Sequence, residues 1–271
     1  MVTKDDMDRL TTFPNHQQYE EAAKALRAVG VSCAWITPEP GYGAVGIPAL
    51  ACGNEAAAAL GRAGVTVSGW VDYRSPAGAV PSGAPAGFAD DIFGECAVMV
   101  LAPCVADVTK LRLIAHTAGD LSAVFPYLNA EMPAVSYNRE AAILTYQDAY
   151  RMVSLYPHRI TIAKADDIVD AWRGLESIRC LVNGTWARRG EIAPVYERRT
   201  RPPALEIYKR LPGTNCRACG EKTCLAFACR LWQGEGSPRQ CLPVFQDGPY
   251  ARLREPFLQI CAGLGLGSGD S

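Results

Sequence analysis

Four cysteines in the last quarter of this 271-residue chain carry the strongest chemical signal: Cys216, Cys219, Cys224 and Cys241, separated by two, four and sixteen residues. A Cys-x-x-Cys pair lets two thiolates reach one metal centre without backbone strain, and four thiolates complete a [4Fe–4S] cube, one per iron. The same four side chains are also a possible zinc site. Structural zinc sites usually draw on two short-spaced pairs, and no second Cys-x-x-Cys is present here. A disulfide within the set is the remaining alternative. The spacers suit a buried inorganic core. Gly220 follows the second cysteine, where backbone must pass close to it. Leu225–Trp232 is apolar and helix-forming, a wall beside the centre, and Gly234 and Gly236 then return the chain to Cys241. Leu211-Pro212 and Pro243 stiffen entry and exit.

The chain holds eleven cysteines, an odd number in a long chain, which argues against a secreted disulfide framework. Cys229, five residues after Cys224, reads as a buried core thiol or an alternative ligand. Cys52 opens an expected helix, whose dipole would lower its pKa. It reads as a small residue before a cap or as a redox or persulfide-carrying thiol, with no second thiol placed to resolve it. Cys33, Cys96, Cys104, Cys180 and Cys261 lie in or beside apolar runs and read as core. Cys96 and Cys104 would share a second metal only if Pro103 turned the chain back. His16, His116 and His158 are isolated from one another in sequence. The Gly-rich stretches Gly41–Gly46 and Gly263–Gly269 lack dinucleotide-binding spacing. Asp166-Asp167 reads as a helix start, and no Ser/His/Asp or paired-carboxylate arrangement points to catalysis. Arg198, Arg199 and Arg201 read as a solvated connector or a docking patch for an acidic partner.

The elements that must position these residues begin with Thr11–Pro14, a short strand. A helix over His16–Val29 ends at Gly30, and a strand follows over Val31–Thr37. Ile47–Cys52 is a strand that Pro48 restricts to an edge. A helix over Glu55–Ala63 is capped by Asn54 and closed by Gly64, and Val65–Val71 is a further strand. This β-α-β-β-α-β order is the ferredoxin-like split βαβ pattern. Ser75–Gly87 is Pro/Gly-rich and uncharged, a linker or long exposed loop. Strands are expected at Ala97–Ala102, Ala134–Tyr137, Ala142–Tyr146, Met152–Tyr156 and Ile160–Ala163, the last two forming a hairpin across Pro157-His158-Arg159. Ile168, Trp172, Leu175, Ile178 and Val182 fall on one stripe of a long helix. Arg179 is expected in its last turn and Asn183-Gly184 at its stop.

The expected class is therefore α+β. A ferredoxin-like unit spans 1–74, a linker 75–87, a mixed α+β middle 88–203, a small helical cluster domain 204–266, and a disordered tail 267–271. With 27 basic and 28 acidic residues the net charge is −1, which suggests neither a nucleic-acid nor a membrane-surface partner. The N-terminal residues lack a secretory h-region, and the longest apolar run, Ala97–Val105, is interrupted by Pro103. The expectation is a soluble, cytoplasmic protein.

The stretch LPGTNCRACGEKTCLAFACRLWQGEGSPRQCLPV resembles the four-cysteine Fe–S domain of the corrinoid iron–sulfur protein large subunit and of the B subunit of Rnf-type ferredoxin oxidoreductases. The resemblance covers about Leu211–Val244. It implies that Cys216, Cys219, Cys224 and Cys241 ligate one [4Fe–4S] cluster that passes single electrons. In that family Pro usually follows the last cysteine directly, whereas here Leu242 intervenes before Pro243. Longer stretches, DLSAVFPYLNA, ITIAKADDIVDAWRGLESIRCLVN and RPPALEIYKRLPGTNC, resemble uncharacterised Fe–S-binding proteins of anaerobes. The first segment is similar, more weakly, to a small sulfur-carrier family of ferredoxin-like shape in which Cys-Gly follows the third strand, as Cys52-Gly53 does here. The leading reading is a one-electron carrier or redox-accessory subunit rather than a catalyst, with the question of enzymatic activity left open, since the longer resemblances imply no reaction. Its partner would be a ferredoxin, a flavoprotein, or a metalloenzyme or corrinoid protein. The alternatives are a sulfur-transfer or metallocluster assembly factor using Cys52, and a cluster-based regulatory module. The chain is too short to add the barrel that holds corrinoid, so cobalamin is not expected on it.

Overall fold

The computed structural model describes residues 7–38, 40–197, 203–264 and 266. The chain is α+β and divides into two compact units, Met1–Ala130 with Tyr137–Tyr196, and Glu131–Ser136 with Glu197–Ser271. Arg198, Arg199, Arg201 and the tail Gly267–Ser271 lie outside the described residues. No helix among those described is long and apolar enough to cross a membrane.

The first unit opens with β1 (Arg9–Thr11), α1 (His16–Val29), β2 (Cys33–Ile36), β3 (Ala49–Cys52), α2 (Asn54–Arg62) and β4 (Val71–Asp72). The sheet order is β2-β3-β1-β4 with antiparallel neighbours, the split βαβ arrangement. Helix α1 starts where Asn15 accepts the Gln18 N–H and stops where Gly30 turns left-handed at φ 69°. It buries Ala22 and Leu26 against Phe13, Leu50, Ala56 and Leu60. Three expectations are corrected. Strand β3 lies inside the sheet, because it begins at Ala49 and Pro48 removes no ladder N–H from it. The N-cap of α2 is Gly53, with Asn54 already helical and no side-chain cap bond. Of the expected last strand only Val71 pairs, with Asp72 just beyond it, since β1 offers two partners, Leu10 and Arg9.

The chain continues with β5 (Cys96–Pro103), β6 (Leu111–Thr117), α3 (Phe125–Glu131), β7 (Val135–Asn138), β8 (Ile143–Asp148), β9 (Arg151–Tyr156), β10 (Arg159–Ala165) and α4 (Ile168–Ala187), all in the first unit but for Glu131 and Val135–Ser136. The strands form a six-stranded sheet ordered β5-β6-β10-β9-β8-β7. Strand β6 and helix α3 have no counterpart among the elements expected from sequence, although Leu111, Leu113, Ala115 and Thr117 are buried in strict alternation along β6. Trp172, Leu175, Ile178 and Val182 of α4 are all buried, as the stripe predicts. Asp167 caps the helix by accepting the Asp170 N–H. The helix does not stop at Asn183-Gly184. Tertiary partners occupy the Asn183 amide: its Nδ2 donates to Asp91 at 2.8 Å and its Oδ1 accepts the Ile92 N–H at 3.1 Å. Arg179 is therefore mid-helix and buried. It donates to Glu176 and to the Ala86 carbonyl, both at 2.7 Å. Ser75–Gly87 contains no helix or strand and is tied to α4 through this Ala86 bond and through Ala77 N–H to Asp167.

Asp166, just before α4, accepts from Lys110 Nζ and the Tyr150 hydroxyl, and these two bonds hold its carboxyl below the ordinary 3.8. A depressed carboxylate pKa contributes stability that is complete above the ordinary value and is lost as pH falls through the folded value. Lys110→Met should therefore lower the melting temperature near neutral pH. The difference from the parent should shrink as pH is taken below 3.8, as thermal melts would record.

The second unit is helical: α5 (Ala204–Tyr208), α6 (Cys224–Gln233), a 3-10 turn at Pro238–Gln240, α7 (Leu242–Phe245) and α8 (Arg254–Gly263). Ile207, Leu211, Phe227, Leu231, Val244 and Phe257 form its core, and Cys224 and Cys241 belong to the same cluster. Arg254 fastens α8 to the end of α7 by donating to the Val244 and Phe245 carbonyls at 3.1 and 2.8 Å.

Candidate metal centre

The four cysteines reach one place by three local devices. The first is the loop before α6. Gly213, Asn215, Arg217 and Gly220 all adopt left-handed backbone, at φ 70°, 52°, 63° and 85°. Left-handed residues interspersed in a turn rotate backbone N–H groups inward and make an anion-holding nest of the kind found at Fe–S sites. Asn tolerates this conformation better than most residues. Asn215 also pins the loop to the helix, because its Oδ1 accepts the Cys224 N–H at 2.8 Å. Within the nest the Ala218 N–H, with the Thr214 hydroxyl, donates to Cys216 and lowers its thiol pKa.

The second device is the head of α6. Thr223 caps it by accepting the Ala226 N–H at 3.0 Å, so Cys224 is the first helical residue, at the positive end of the dipole. The third device is the return. Gly234 ends α6 in left-handed backbone at φ 83°. Ser237 and Gln240 then form a capping box around the 3-10 turn, which delivers Cys241 into the core.

Cys216, Cys219, Cys224 and Cys241 together line one pocket, with Pro212, Phe227 and Pro243 among the other walls. Cys216 is exposed, Cys219 half-buried, and Cys224 and Cys241 buried. The Cys241 thiol is pushed up to about 11, first by burial and then by Cys224, Cys219 and Cys216. The four sulfurs thus share one electrostatic neighbourhood. Among the described residues no three His, Cys, Asp or Glu side chains are gathered tightly enough to hold a single metal ion. A [4Fe–4S] core takes one thiolate per iron, which four thiols lining one pocket could supply.

Arg230 on α6 joins the two arms of the site. It donates to Glu221, between the second and third cysteines, at 2.8 Å, and to Gln240, next to the fourth, at 2.5 Å. Nothing in the sequence spacing marks this clamp, because its three members are nine or ten residues apart.

Residues 211–243 match the family model described as "Putative Fe-S cluster". Over the same region the chain is similar to the acetyl-CoA decarbonylase/synthase complex subunit gamma 2 of Methanosarcina thermophila. They are 50% identical over 48 residues, which is 18% of this chain and 10% of that protein. It is 39% identical over 67 residues to the gamma subunit of Methanopyrus kandleri, covering 25% of this chain and 14% of that one. It is 43% identical over 67 residues to the corrinoid/iron-sulfur protein large subunit of Moorella thermoacetica, covering 25% and 15% respectively. The chain therefore spans only about a tenth to a seventh of the length of these curated relatives. No solved structure matches it. The C-terminal unit contains an iron–sulfur cluster domain, and the protein is metal-binding with an Fe–S cofactor.

The remaining thiols separate clearly. Cys229 is exposed, correcting the expectation of a core position: α6 turns Cys224, Phe227, Ala228 and Leu231 inward and Cys229 away, and it does not line the pocket. Cys52 ends β3 instead of opening α2, and it is fully buried. Burial, with a contribution from Cys33, pushes its thiol up to about 11, so the expected dipole activation does not occur. A second thiol does face it, since Cys33 is its cross-strand partner in the β2–β3 register. Cys96, Cys104 and Cys261 are buried, as expected of core thiols, while Cys33 and Cys180 are half-buried. Cys96 begins β5 and Cys104 follows its end, so the strand holds them roughly 26 Å apart at about 3.3 Å per residue.

Proposed function

We propose that Cys216, Cys219, Cys224 and Cys241 ligate one [4Fe–4S] cluster and that the protein is a one-electron carrier or redox-accessory subunit of a metalloenzyme or corrinoid protein. The observation that carries this reading is the convergence of all four thiols on one pocket. When bound, such a cluster supplies reversible one-electron exchange, at potentials set by burial and by hydrogen bonds to sulfur. The chain contributes to both. The Ala218 N–H steadies negative charge on Cys216. Phe227 and Pro243 wall the pocket, while the exposure of Cys216 leaves one edge of the site open to a partner. The relatives are, by name, a subunit of an acetyl-CoA decarbonylase/synthase complex and a corrinoid/iron-sulfur protein subunit, which supports a protein partner. A ferredoxin or flavoprotein is the chemically suited electron source.

Protein prepared anaerobically should contain iron and acid-labile sulfide in equal amounts. It should bleach on dithionite reduction, show a reduced-state EPR signal at low temperature, and recover on reoxidation. Zinc without acid-labile sulfide would overturn the ligand assignment. A cluster that cannot be cycled even by a stronger reductant would leave the ligands in place and remove the carrier role.

A further inference from the structure

The three histidines, scattered through the sequence, are gathered by the first unit. His16 and His116 both line a cleft of about 390 Å³. His158 stacks on His116, with ring centroids 6.1 Å apart and planes 15° from parallel. The register explains this contact. Arg159 pairs with His116 across β10 and β6, which places His158, in the preceding turn, beside the His116 ring. His158 is itself anchored, its Nδ1 lying 3.0 Å from the Gly119 carbonyl, so the N–H resides on Nδ1 and the stack is held in place.

The cleft is also lined by Tyr42 to Ile47, which overlap the Gly41–Gly46 stretch. This stretch is rigidly held. The Gly43 and Ala44 N–H groups donate to Glu176 at 2.9 and 3.2 Å, and the Ala44 carbonyl accepts the Cys96 N–H at 2.8 Å. A Cβ at Gly43 would come within 2.7 Å of the Arg179 guanidinium, and one at Gly41 within 1.9 Å of the Pro81 carbonyl, so glycine is required for the loop to lie this close to its neighbours. A cleft with a fixed wall needs little ordering on binding.

We propose that this cleft binds a small oxyanion-bearing molecule, a phosphate or a carboxylate, with His16 and His116 donating hydrogen bonds to its oxygens. His16 is the first residue of α1, whose first turn holds no acidic side chain to cancel the positive end of the dipole. Glu95 is the one acidic residue of the lining. It faces the same space as an acceptor, so the molecule carries a hydrogen-bond donor as well as the oxyanion. Hydrogen phosphate and hydroxycarboxylates both meet this description.

The test is a histidine-ring NMR titration of the full chain, in which three histidines give three resolvable sets of ring signals. The probes are inorganic phosphate and glycolate, with chloride at matched ionic strength as the control. Saturable shifts of the His16 and His116 signals with phosphate, glycolate or both are expected, and the pattern identifies the source of the oxyanion. His16→Gln and His116→Gln should each weaken binding about tenfold, as loss of one hydrogen bond does. Both side chains are exposed, so the variants should keep the parent's circular dichroism. Absence of saturable shifts with either probe, the same shifts with chloride, or undiminished binding in both variants would overturn the proposal.

Discussion

Cys241→Ala should strip the protein of its cluster, while Cys229→Ala, in the same unit, should leave it intact. Cys241 lies in the core, 5% exposed, on the arm that must return across a sixteen-residue gap to complete the site. Removing its sulfur deprives the centre of one thiolate and leaves Cys216, Cys219 and Cys224 on the other arm alone. Loss of groups that merely orient a ligand lowers metal retention 10–100-fold in other sites, so removal of a ligand itself should exceed about 100-fold. The measurement is iron and acid-labile sulfide per chain after anaerobic gel filtration, alongside the visible charge-transfer absorption. Cys229 is exposed and off the pocket, so its replacement should change none of these. Equal cluster content in the two variants would mean that the fourth ligand has been misassigned.

Phe227→Ala should collapse the second unit in the absence of the cluster. Phe227 is 1% exposed, lines the cysteine pocket, and sits among Leu211, Leu231, Val244 and Phe257. Truncating a buried Phe costs about 3–5 kcal/mol, through lost burial and the cavity left behind. A single core in a unit this small supplies about that much in total, which is why such units depend on a metal or another staple. The cluster-free variant should therefore show no cooperative unfolding transition for this unit. The cluster-loaded variant should retain one at a lower denaturant midpoint, and it should lose iron faster in air. A drop of less than about 1 kcal/mol would show that the pocket wall collapses onto the vacated space.

The legible parts of the fold were those whose signals are short-range. Helix α1 could be read because the apolar spacing over His16–Val29 and the stop at Gly30 lie within the segment they govern. The stripe from Ile168 to Val182 gave the buried face of α4 for the same reason. The end of α4 could not be read, because Asn183-Gly184 is a stop signal only when the Asn amide is free, and Asp91 and Ile92 occupy it. The behaviour of Cys52 was hidden in the same way. Its distance from a helix start is a local fact, but its high thiol pKa comes from burial and from Cys33 on the neighbouring strand. Strand β6 is the exception, since its alternation was present in the residues themselves.

By itself the sequence marked four candidate sulfur donors, Cys216, Cys219, Cys224 and Cys241, and the devices around them: the glycines that return the chain and the prolines that stiffen entry and exit. A short spacing restricts where a thiolate can reach whatever the rest of the chain does. Only the tertiary structure decided that Cys241, across sixteen residues, lines the same pocket as the other three, that Arg230 clamps the two arms, and that His16 and His116 line one cleft with His158 stacked on His116. Those contacts depend on how helices and strands pack, and packing energy is spread over many residues, none of which announces its partner along the chain.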